Sequence, residues 1–193
     1  MKIILVRHGE CEDNVKLSED RDSKLTQRGR KQVEHLANRL KDYKISEIYT
    51  SNLIRAKETS EIISKKIKVP IKGNFQELNE YSGKHLKKKI ITLFNFRLKK
   101  LKRLLGKLAQ EKEKDKTILI VAHGIANRII IGSLLKFPIS KQILRFTQDN
   151  ACVNFLSWNE KYKNWCAWSV NDVSHIPIHL RNSEELNFYK NRK

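Results

Sequence analysis

Residues 2–9 read KIILVRHG, and residues 117–124 read TILIVAHG. Each is an apolar run that hands over directly to a His-Gly pair. Unbroken apolar runs of this length fit strands covered on both faces, as in the centre of a parallel sheet. Open α/β sheets gather their ligand-binding groups at the carboxyl ends of such strands. Neighbouring strands would therefore bring His8 and His123 together, and the glycine after each histidine lets backbone come close to a ligand.

The chain between and around these runs alternates helical and extended patterns. Thr26 is placed to cap a helix in which Val33, Leu36, Ala37 and Leu40 recur at helical spacing through about residue 41. ISEIYTS (45–51) reads as a second strand. NLIRAKETSEIISKKI (52–67) reads as a second helix capped by Asn52, with Pro70 closing that element. IANRIIIGSLL (125–135) follows the second His-Gly pair as a further helix. Strand-helix alternation predicts an α/β fold with a mostly parallel central sheet and helices on both faces. CVNFLSWN (152–159) and NWCAWSV (164–170) flank the turn EKYK and predict a C-terminal antiparallel hairpin at one edge. Residues 1–177 are expected to form a single domain, and 178–193 a polar, loosely held tail.

The chain has 193 residues, 39% of them hydrophobic and 32% charged, with 7 Gly and 3 Pro. That is enough chain to bury a core without disulfides or a structural metal. After Met1-Lys2 only four apolar residues, Ile3 to Val6, precede Arg7, so no secretory signal is expected at the amino terminus, and no run approaches membrane-spanning length. Cys11, Cys152 and Cys166 are odd in number and lack metal-ligand spacing. A reducing cytoplasm is the expected compartment.

The formal charge of +19 is concentrated: residues 84–116 hold 13 Lys or Arg against Glu111, Glu113 and Asp115. Ile90, Phe94, Leu98, Leu101 and Leu108 recur there at helical steps, so the segment reads as a long amphipathic helix inserted between two sheet elements. Its lysines are either a solvated face or a means of attracting anions, including an extra anionic group on a substrate. Phe94 and Phe96 read as core-facing residues rather than base-stacking platforms, so nucleic acid is not the expected partner. No membrane partner is expected, and the oligomeric state is not legible.

Arg7 adjoins His8, and Arg55 lies near the start of the second helix. Two guanidinium forks can hold the oxygens of one phosphate and stabilise a transferring phosphoryl group. A pair of imidazoles can also bind metal, but no third ligand stands at metal spacing and the arginines repel a cation; no metal and no cofactor are expected. The arginines also disfavour a protonated imidazole at His8.

LVRHGE (5–10), LTQRGRKQ (25–32), YTSNLIRAKETS (49–60), LNE (78–80), VAHG (121–124) and NDVSH (171–175), in this order, resemble the histidine phosphatase superfamily. Familiar members are phosphoglycerate mutases and small phosphatases, and the resemblance covers about residues 1–175. It implies a phosphoglycerate mutase-like fold and metal-independent hydrolysis of small phosphorylated metabolites through a phosphohistidine on His8. It further implies that Arg7, Asn14, Arg55, His123 and Gly124 surround the phosphate. Glu80 matches the carboxylate that protonates the leaving oxygen and then activates water.

Two positions depart from the family pattern. Cys11 stands where a threonine or serine is usual, replacing a hydroxyl by a weaker thiol donor. After Glu80 the glycine comes one residue early, at Gly83, and KHLKKK follows, which leaves Glu77 as the alternative acid. The loops that bind a second phosphate in the mutases are not evident, so hydrolysis is favoured over a mutase-type transfer. A weakly active chain serving as a binding module for an anionic partner is the reading of another class.

Overall fold

The computed structural model describes residues 1–15, 22–80, 99–100, 103, 106, 116–138 and 146–181. Six strands form one sheet: β1 (Lys2–Arg7), β2 (Glu47–Ser51), β3 (Ile71–Phe75), β4 (Thr117–Ala122), β5 (Val153–Asn159) and β6 (Asn164–Asp172), in the order β3-β2-β4-β1-β5-β6. The pairs β3–β2, β2–β4 and β4–β1 are parallel; β1–β5 and β5–β6 are antiparallel. The predicted α/β class and C-terminal hairpin are what the sheet shows.

The apolar runs of β1 and β4 lie side by side at its centre because each strand is covered on both faces. Ile4, Val6, Leu119 and Val121 point to one side, into a core completed by α1 (Gln27–Leu40) and α2 (Ile54–Ile67). Ile3, Leu5, Ile118 and Ile120 point to the other, where Ala126, Ile130 and Ile131 of α3 (Gly124–Leu134) pack on them. Parallel pairing sets Arg7 opposite Ala122. The next residue on each strand is a histidine, so the register itself puts His8 beside His123.

Thr26 caps α1 as the sequence predicts, its hydroxyl accepting from the Gly29 N–H at 2.9 Å. The start of α1 is pressed onto the loop after β1. A Cβ on Gly29 would fall 2.0 Å from the Glu10 carbonyl oxygen, and one on Gly9 would fall 2.6 Å from the Gly29 carbonyl oxygen. The glycine after His8 thus admits helix backbone, not a ligand as the sequence suggested.

Several expectations need correction. Helix α2 begins at Ile54 with Leu53 at the cap position and no side-chain cap. Asn52 is not the cap: the Leu53 N–H is taken by the Ser51 hydroxyl, 3.1 Å away. Helix α2 ends at Ile67, before Pro70 as expected, and the chain then enters β3, which the sequence did not predict: a half-exposed edge strand whose KGN centre carries no apolar alternation and which is held by pairing with β2. Residues 178–181 are docked rather than loose, with Leu180 buried and its carbonyl accepting from Arg28 and Gln32 of α1. Lys116, the last lysine of the basic segment, is buried and pairs with Glu47 at 2.8 Å, so it faces the sheet. Of that segment Lys99, Lys100, Arg103 and Gly106 are helical. The rest of the predicted insertion, and the tail from 182, lie outside the described residues.

Candidate active site

His8 leaves the sheet with its backbone held on both sides. Its N–H donates to Ala122 at 3.1 Å, and its carbonyl accepts from Ala151 at 3.0 Å and from the Asn150 amide at 3.4 Å. The buried ring has Nδ1 at 2.6 Å from the Gly9 carbonyl oxygen and Nε2 at 3.2 Å from Arg55 Nε. A carbonyl only accepts and a guanidinium only donates, so Nδ1 carries the hydrogen and Nε2 presents its lone pair. Burial, then His123, then Arg7 and Arg55 hold the His8 pKa well below the usual imidazole range. Both ring nitrogens are thus engaged, Nδ1 as donor to Gly9 and Nε2 as acceptor from Arg55.

Arg55 sits in the first turn of α2 and is buried. Thr59, one turn on, fixes that helix to the loop: its hydroxyl donates to the Arg55 carbonyl at 2.8 Å and accepts from the Gly9 N–H at 3.2 Å. Arg7 donates through Nη1 to the Gln148 carbonyl, while its buried Nε has no hydrogen bond among the described residues. Gln148 is locked in turn by Asn127 and Asn154.

His123 occupies the cap position of α3, its ring centroid 5.0 Å from that of His8. Nε2 lies 2.7 Å from the Ser51 hydroxyl, and Nδ1 is buried without a hydrogen bond among the described residues. Burial first, then Arg55 and Arg7, hold its pKa well below the imidazole range. Gly124 follows as the first residue of α3; a Cβ there would lie 3.6 Å from Arg7 Nε and 3.8 Å from Glu80 Oε2. Glu80 and Arg7 therefore flank the same helix amino terminus, with Glu80 Oε2 at 3.5 Å from the Ile125 N–H.

The five residues His8, Arg7, Arg55, His123 and Glu80 converge at the carboxyl ends of β1 and β4. Asn14 is exposed on the adjoining loop, its Oδ1 accepting from the Cys11 N–H at 3.3 Å and from Asn150 at 2.9 Å. Glu77 pairs with Lys100 at 3.9 Å. Cys11 is fully buried. Among the described residues no group of three or more His, Cys, Asp or Glu is placed to hold a metal ion, and no helix is long and apolar enough to cross a membrane.

Sequence reasoning missed Ser51, Asn79 and Arg128. Ser51 lies inside the quoted YTSNLIRAKETS, and Asn79 inside LNE, but neither residue type announces a partner 28 positions away. The Ser51 hydroxyl is 2.8 Å from Asn79 Oδ1. Arg128, one turn into α3, interacts electrostatically with both Arg7 and Glu80.

This fold and this convergence of two imidazoles with two guanidinium groups define a class. The chain belongs to the histidine phosphatase superfamily (branch 1), whose family model matches residues 3–90 and 97–171. The uncharacterized phosphatase PhoE of Bacillus subtilis is 29% identical over 92% of this chain and 96% of its own length. The probable phosphoglycerate mutase GpmB of Photorhabdus laumondii is 25% identical over 91% and 95%. A solved phosphoserine phosphatase from Entamoeba histolytica, in complex with phosphoserine, superposes with a TM-score of 0.72 at 23% identity, covering 91% of this chain and 99% of that one. At that identity the likeness is one of fold.

Proposed function

We propose that the chain is a metal-independent phosphatase that hydrolyses small phosphomonoesters through a phosphohistidine on His8. The observation that carries this reading is the setting of His8: buried, its Nε2 lone pair directed at the phosphate-binding candidate Arg55, its ring 5.0 Å from that of His123, and its pKa lowered first by burial. Nε2 attacks phosphorus, the ester P–O bond breaks, and Glu80 gives its proton to the departing oxygen. Glu80, now a carboxylate, takes a proton from water; the oxygen attacks phosphorus, the P–N bond breaks, and phosphate leaves with His8 neutral again. Arg7 and Arg55, joined by His123, Asn14 and the helix amino terminus at Gly124, balance the charge on the non-bridging oxygens. Those cations supply what a metal supplies elsewhere, so neither metal nor cofactor is needed.

Glu80 rather than Glu77 is the acid in this reading, because Glu80 borders Gly124 and Arg7 whereas Glu77 is engaged by Lys100. The lysines of the 84–116 segment would favour substrates with a second anionic group. The GpmB relative favours a second reading, mutase-type transfer between two hydroxyls. Release of phosphate from p-nitrophenyl phosphate in the presence of EDTA, lost in His8→Ala, supports the phosphatase. Isomerisation of phosphoglycerate that needs a bisphosphate primer and outruns hydrolysis supports the mutase.

A further inference from the structure

We propose that His123 takes up a proton when a tetrahedral dianion enters the pocket, and that Ser51 and Asn79 are the positioning residues that impose this. The inference rests on the phosphate-pocket reading above and concerns which atom of His123 can donate. The hydrogens of this cluster follow from groups that have only one role. The Asn52 N–H can only donate, and it lies 2.9 Å from Asn79 Oδ1, so that atom is the amide oxygen. The Ser51 hydroxyl, 2.8 Å from the same oxygen, must give it its single hydrogen. One lone pair of Ser51 Oγ accepts the Leu53 N–H at 3.1 Å, which leaves the other for His123 Nε2 at 2.7 Å. Nε2 therefore carries the hydrogen.

A neutral His123 then has a bare lone pair on Nδ1, its buried and unbonded nitrogen. That lone pair repels an anion's oxygen. Protonation at Nδ1 replaces the repulsion by a charge-assisted hydrogen bond, at a depth where such bonds are strong. The groups around the ring set the balance. Arg7 and His8 reach it from the end of β1 and Arg55 from α2, while Glu80, from the segment after β3, and Arg128 lie at the start of the helix that His123 caps. Burial first, then Arg55 and Arg7, keep His123 neutral while the pocket holds no anion. An entering dianion brings the opposite charge to the ring, and solvent supplies the proton.

Sulfate is the probe, because it stays a dianion at neutral pH and any proton gained on binding belongs to the protein. Calorimetric titration in buffers of different ionisation enthalpy reads the number of protons taken up. The wild-type chain should gain close to one per sulfate. In Ser51→Ala the Nε2 loses its acceptor, and in Asn79→Ala the Ser51 hydroxyl is free to turn its hydrogen toward Nε2. Either change lets a neutral His123 offer Nδ1–H to the anion, so uptake should fall to near zero while sulfate still binds. Should Ser51→Ala fail to fold, the half-buried Asn79 provides the same readout. Binding without uptake in the wild type overturns the inference, as does uptake that both variants leave unchanged, which would place the proton on His8. A wild-type chain that binds neither sulfate nor tungstate overturns the phosphate-pocket reading beneath it.

Discussion

The imidazoles of His8 and His123 stand 5.0 Å apart because β1 and β4 pair in the register that sets Arg7 against Ala122. Neither side chain needs a loop to reach the other. His8 and His123 each follow directly on the hydrogen-bonded ladder of two central strands, β1 and β4, and their spacing is set by that register.

Glu80→Gln should lower kcat by about 10²–10⁴-fold with little change in KM, the usual loss on removing a general acid and base. Glu77→Gln, which removes only the Lys100 pair, should stay within a few-fold of wild type. Steady-state kinetics on p-nitrophenyl phosphate distinguish the two, and the reverse ranking would transfer the acid role to Glu77.

Gly29→Ala tests the contact between α1 and the loop after β1. Helix propensity alone favours alanine by about 1 kcal/mol. The added methyl would meet the Glu10 backbone at 2.0 Å, which cannot give way without moving the loop. We expect a net destabilisation of about 1–3 kcal/mol by urea unfolding, the usual cost of overpacking, together with lost activity. A stabilised variant would contradict the contact.

Folding stability should fall as the solution is acidified below the ordinary imidazole range. His8 and His123 are held neutral in the folded chain, mainly by burial, while His175 is lowered to about 4, again mainly by burial. The unfolded chain binds protons at these rings from about pH 6.5 downward and the folded chain does not, so each ring favours unfolding as pH drops. For the fully buried His8 and His123 the slope approaches about 1.4 kcal/mol per pH unit each until the folded state also titrates. Above that range their contribution is flat. Urea midpoints between pH 8 and 4 read the slope, and His123→Gln should make it shallower.

Arg55→Lys should weaken phosphate binding and leave His8 without its Nε donor, because an ammonium has neither the fork nor the reach of the guanidinium. An increase of at least tenfold in the inhibition constant for vanadate is the expected result. An unchanged constant would remove Arg55 from the pocket.

How far this was readable from the chain differs by element. The centre of the sheet was legible because double burial leaves an unbroken apolar run, as in Ile3–Val6 and Ile118–Ala122, and α1 because Thr26 and its apolar stripe agree. Strand β3 was not: IKGNF has no alternation, and only pairing with β2 makes it extended. His8, Arg7 and His123 declared themselves by standing at strand ends. Ser51 and Asn79 did not, since a short hydroxyl and an amide acquire meaning only when folding closes the 2.8 Å gap between them. Nothing in the sequence marked Gly29, whose necessity lies in a backbone contact 19 residues away along the chain.

The account turns on a phosphoryl group that rests on His8 Nε2 between the two half-reactions. Quenching turnover in alkali, where phosphohistidine survives, and mapping the modified peptide by mass spectrometry tests this most directly. The prediction is one acid-labile phosphoryl group on the peptide containing residue 8, absent in His8→Ala along with activity. A variant without His8 that still turns over substrate, or a phosphoryl group carried at another residue, would contradict it.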